Sequence, residues 1–114
     1  MIKPKRQQPK KHKKMLADKQ KVYHDVSRIY KELRNNQDVR FKRLKGYQGE
    51  YDFCCDEITI DYRKELLPTL IHEFIHKFYP NKSERWVLQR ERFIICRLSP
   101  SQAKRLLIFL LYLV

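Results

Sequence analysis

His72, Glu73, Phe74, Ile75 and His76 stand consecutively in this chain of 114 residues, in the pattern H-E-x-x-H. Two histidines at that spacing on a helix project from one face, about one turn apart, so both imidazoles can reach a single ion. The glutamate beside the first histidine is then placed to take a proton from a water that the metal polarises. The chemistry implied is metal-assisted hydrolysis. At ordinary residue usage the pattern arises by chance in well under about one per cent of chains this short. It is informative, and its surroundings have to decide its meaning.

The surroundings are two helices. Leu67, Leu70, Ile71, Phe74, Ile75 and Phe78 form an apolar stripe, while Thr69, His72, Glu73 and His76 fall on the opposite side. A plain surface helix would look the same, with solvated histidines and nothing else converging on them. The next helix argues for convergence. Its apolar face carries Val87, Leu88, Ile94, Ile95 and Leu98, and Glu91 lies in the middle of that face. An ionised carboxylate among aliphatics is costly unless it meets a cation or a metal. Reflection through the short turn around Asn81 sets Glu91 level with His72. Glu84 shares the face but lies nearer the turn, roughly 9 Å further along. It is expected to cap the helix start and is kept as the alternative third ligand. Two histidines and one glutamate leave one position of a tetrahedral zinc ion open, as a catalytic site requires; structural sites are closed and rich in thiolate.

Stepping along the chain gives the elements that must position these groups. Val22, Val26, Ile29, Tyr30 and Leu33 predict a helix from about Lys14 to Arg34, ended by Asn35 and Asn36. Alternation predicts strands over Val39 to Leu44, Glu50 to Cys55 and Ile58 to Arg63, with turns at Gly46 and Gly49 and at Asp56-Glu57. Pro68 suits the first turn of the motif helix, which runs from Glu65 through Tyr79. Ser83 caps a helix to about Leu98, and Ser99-Pro-Ser-Gln opens a last one as a capping box. The expected fold is α+β: an N-terminal helix, a small two- or three-stranded antiparallel sheet, then the motif, glutamate and C-terminal helices.

Composition bounds the rest. One small domain, residues 15–114, follows a basic tail, residues 1–14, which has seven Lys or Arg and no acid and contributes to a formal charge of +13. A block of this kind is expected to be disordered and to attract nucleic acid or an anionic surface. Cys54, Cys55 and Cys96 make a poor disulfide framework, which points to a reducing, cytoplasmic compartment, with the thiols as small apolar fillers. The longest apolar run, Leu106 to Val114, falls short of the roughly 20 residues of a spanning helix, so no transmembrane segment is expected.

With these residues in view, the chain resembles the gluzincins, zinc peptidases with H-E-x-x-H on one helix and a glutamate ligand on a following one. It is most similar to the minigluzincins, soluble scaffolds of about this length. The resemblance runs from about Gly46 to Leu98. It implies zinc ligands at His72, His76 and Glu91, Glu73 as general base and acid, a peptide or protein substrate, and an edge strand at Ile58 to Tyr62 for an extended substrate. It also implies a latency device in which the apolar C-terminus blocks the cleft. The chain departs from large gluzincins in its shorter spacing after His76 and its lack of N-E-x-x-S-D. Tyr79 and Lys82 stand where a metzincin needs Gly and a third His, and no His follows His76, as a SprT-like protein would require. Tyr79, Tyr112 and Arg63 are the candidates for stabilising an oxyanion.

Overall fold

A computed structural model describes residues 10–63 and 65–113. Helix α1 (Lys10–Arg34) leads to strands β1 (Asp38–Phe41), β2 (Gly49–Asp52) and β3 (Glu57–Ile60). Helices α2 (Leu66–Phe78), α3 (Glu84–Arg97) and α4 (Pro100–Leu113) follow. The architecture is the α+β one expected. The first helix starts at Lys10, so the last part of the expected tail is helical; residues 1–9 lie outside the described residues.

The helix ends follow from local chemistry. Asn36 takes a left-handed φ of 61°, while the N–H of Asn36 bonds Leu33 C=O and that of Gln37 bonds Glu32 C=O. This pair of bonds satisfies carbonyls that the end of α1 would otherwise orphan. Ser83 Oγ accepts from the N–H of Trp86 at 3.1 Å and starts α3. At α4 the capping box is reciprocal: Ser99 Oγ accepts from Gln102 N–H at 3.1 Å, and Gln102 Oε1 accepts from Ser99 N–H at 2.9 Å.

The sheet corrects the sequence expectation. Its order is β1-β3-β2, with β1 parallel to β3 and β2 antiparallel to it, so the sheet is mixed. β3 takes the centre because it alone supplies two fully buried aliphatics, Ile58 and Ile60. The expected edge at Ile58 to Tyr62 is therefore the middle of the sheet, and β2 is the edge that packs on α2. Asp61, just past β3, anchors the crossover that returns the chain to β2. Its carboxylate accepts from the Arg63 guanidinium at 2.8 Å and from the backbone N–H groups of Arg63 and Leu44. These bonds, that of the guanidinium foremost, hold its pKa well below the usual carboxylate range.

The core joins Val22, Val26, Ile29 and Leu33 of α1 to Ile58 and Ile60 and to Leu70, Ile71, Phe74 and Ile75 of α2. Val87, Ile94, Leu106 and Leu110 complete it. Buried Asp25 ties three helices at its edge, accepting from Tyr79 Oη and Arg90 Nε, each at 2.7 Å. All three cysteines are free and exposed, which corrects their reading as apolar fillers. Cys54 and Cys55 lie in the β2–β3 turn, and Cys96 is on the solvent side of α3. α4 packs chiefly on α1, buries Leu106 and Leu110 in the core, and has no described residue in the lining of the cleft described below.

Candidate metal centre

The polar face of α2 is turned toward β2 and α3, and between them lies a cleft of about 640 Å³. His72 and His76 are half-buried on its wall, with their Nε2 atoms 3.2 Å apart. Two nitrogens sharing a tetrahedral zinc ion at its usual bond length stand about 3.3 Å apart. The separation of the pair therefore matches that of two ligands on one ion.

The two glutamates of α3 divide the remaining work differently from the expectation. Glu84 Oε1 lies 2.7 Å from His72 Nε2, and its Oε2 lies 2.8 Å from His76 Nε2. Glu91 Oε1 instead lies 3.2 Å from His72 Nδ1, on the far side of that ring. Glu84 and Glu91 are seven residues, about two turns, apart and share a face, so both reach the histidines. The imidazoles lean so that their tips converge beside the first residue of α3. Distance between side-chain ends, and not the level of the Cα atoms, brings Glu84 to both Nε2 atoms. His72, His76 and Glu84 offer three ligand atoms within 4.8 Å of one another. Ser83 caps α3, and Glu84 is the acidic residue of its first turn, as expected. A carboxylate on Nδ1, as Glu91 provides, fixes the tautomer that leaves Nε2 free to bind a metal. Burial opposes charge on His72, but the Glu91 hydrogen bond and the charges of Glu73, Glu84 and Glu91 leave its pKa above the ordinary value.

Glu73 is 5% exposed. It lines the same cleft. Burial pushes its pKa up to about 7; charged His72 opposes this, and Glu84, Glu50 and Glu91 add to it. The protein thus maintains a largely buried carboxyl group of raised pKa beside the histidine pair.

Gly49 is the site residue that the sequence reading misplaced. It is not in the turn, which Gly46 makes with φ 82°; it lies in β2, against α2. A Cβ there would come 2.6 Å from Thr69 Cγ2, 3.1 Å from Glu73 Cγ and 3.2 Å from Glu73 Oε1. Only glycine lets the edge strand close on the motif helix. We expect Gly49→Ala to lower stability by about 1–3 kcal/mol, as overpacking does, and to disturb Glu73. Adding Thr69→Ser removes the nearest methyl and should restore part of the loss. Urea unfolding of the two single variants and the double one reads the coupling, and strict additivity would show that the contact is not tight.

The register also orients β2. Asp61 N–H bonds Gln48 C=O at 2.8 Å, and the pairing continues as Glu50 with Thr59 and Asp52 with Glu57. In an antiparallel pair the intervening residues turn their main-chain groups outward. The N–H and C=O of Gly49 and Tyr51 accordingly face the free edge. Among the described residues, the cleft lining includes Glu50, Glu73, Glu84 and Glu91 but no Lys or Arg.

None of the three expected oxyanion candidates lines this cleft. Tyr79 is engaged by Asp25, Arg63 by Asp61, and Tyr112 lies on α4. Tyr47 and Tyr51 are the hydroxyl-bearing aromatics that do line it, and they donate to Glu50 and Asp56. No protein-family model, curated protein or solved structure matches this chain.

Proposed function

We propose that this protein is a zinc-dependent metallopeptidase with His72, His76 and Glu84 as the metal ligands and Glu73 as its general base and acid. The observation that carries the reading is the Glu73 carboxyl, taken largely out of solvent and facing the same cleft as the converging Nε2 pair. A structural role for the histidines would not call for such a group, because taking a carboxylate out of water is costly. A zinc ion held there supplies the Lewis acidity that polarises a carbonyl and makes water a nucleophile at neutral pH.

The remaining steps belong to the chain itself. Glu91 holds the His72 ring in one tautomer. The outward N–H and C=O groups of Gly49 and Tyr51 pair with an extended peptide, laying its scissile bond across the histidines. Glu73 accepts the proton of the attacking water and returns it to the departing amine. The acidic lining disfavours acidic side chains in the peptide.

The test is direct. Purified protein should bind one equivalent of zinc and hydrolyse unfolded protein substrates. A chelator should stop hydrolysis and added zinc restore it. Stoichiometric zinc without turnover on any member of a broad peptide library would leave a metal protein and remove the enzyme.

A further inference from the structure

The surface formed by α1 and α4 lies apart from the cleft and shares no lining residue with it. The two helices run antiparallel side by side: Tyr30 Oη donates to the Gln102 carbonyl at 2.9 Å, while Tyr23 and Phe109 line one groove further along. Among the described residues, five large hydrophobic side chains are left exposed on this pair: Leu16, Tyr23, Ile108, Leu111 and Tyr112. Tyr23 is 69% exposed, Leu111 63% and Tyr112 87%. On α4, Lys104, Ile108, Leu111 and Tyr112 recur at helical spacing, so the apolar strip begins from a lysine on the same face.

The charges around that strip have one sign. α1 contains three acids, and each is turned to a partner elsewhere in the fold: Asp18 to Arg97, Asp25 to Arg90 and Glu32 to Lys77. α4 has no acid. The exposed charged side chains described on the two helices, Lys19, Lys31, Arg34, Lys104 and Arg105 among them, are all cationic. An exposed apolar strip rimmed by Lys and Arg is the pattern that seats a protein on a bilayer: the apolar groups enter the headgroup boundary and the cations meet anionic lipid.

We infer that the α1–α4 face docks on the surface of an anionic phospholipid bilayer, with Ile108, Leu111 and Tyr112 entering the interface. Two other occupants fit less well. A second copy would bring two cationic rims together, and a single-stranded nucleic acid would match the charge but leave the aliphatic Leu16, Ile108 and Leu111 with nothing to stack on. No described helix is long and apolar enough to cross a membrane, so the association is peripheral.

The full chain should co-sediment with phosphatidylcholine vesicles that contain phosphatidylserine and not with phosphatidylcholine alone. Raising the salt should weaken the binding. Leu111→Gln with Tyr112→Gln leaves the charge unchanged and alters only exposed positions; it should reduce vesicle binding at least about tenfold with an unchanged circular dichroism spectrum. Lys31→Glu with Lys104→Glu should reduce it further, about fivefold for each cation lost. Vesicle binding unaffected by the glutamine pair would overturn the inference. So would absence of vesicle binding, whether accompanied by tight binding of a single-stranded RNA oligonucleotide or by a dimer that the glutamine pair dissociates.

Discussion

Glu73→Gln will lower peptide hydrolysis by about 10²–10⁴-fold, the span of a positioned general acid–base, while leaving zinc content unchanged. Gln preserves the shape that packs against Gly49 and Thr69 but cannot take up the water's proton. The same change should not destabilise the protein. Glu73 is 5% exposed and burial raises its pKa to about 7, so its carboxylate is held against the cost of burial. A neutral amide of equal size removes that cost, and the variant's thermal midpoint without metal should equal or exceed that of the parent. Loss of turnover with retained or raised stability marks a group kept for chemistry. Retained turnover would remove Glu73 from the mechanism.

The second large effect separates the two glutamates of α3. Glu84→Ala should weaken zinc binding by more than about 10²-fold, because the proposed site takes the carboxylate nearest both Nε2 atoms as a ligand. Glu91→Ala should weaken it by about 10–100-fold, the effect of removing a partner that orients a ligating histidine. Competition against a chromophoric chelator measures both. The reverse order would make Glu91 the ligand and Glu84 the accessory. The pair also tests how far a hairpin can be read by reflection. Reflection compares Cα levels, whereas a metal site is assembled at the ends of side chains that lean and converge.

Much of the frame was legible because it is local. The stripe from Val22 to Leu33, the left-handed Asn36, the Ser83 cap and the Ser99–Gln102 box depend on neighbours within a few residues, and the structure has each of them. Pairings between distant segments were not legible in the same way. Short strands with similar alternation carry no mark of which is central, and burial of both Ile58 and Ile60 placed β3 between its neighbours. Gly49 reads as a turn residue from its type, and only its approach to Thr69 and Glu73 shows a packing role. The cysteines had the composition of core residues and landed on turns and a solvent-facing helix side.

His72, Glu73 and His76 were determined by the sequence alone as a unit, since helical periodicity carries them to one face whatever the rest of the chain does. What stands opposite them was decided by tertiary structure. It brought Glu84 to the tips of both rings, moved Glu91 to the back of His72, and set the edge strand β2 beside the cleft. It also turned the acids of α1 inward and left a cationic, apolar face outside. The physical reason is the range of the forces involved. Backbone hydrogen bonds and caps act over a few residues and are written in local order, whereas burial is a property of the whole core and chooses among arrangements that local order leaves equal.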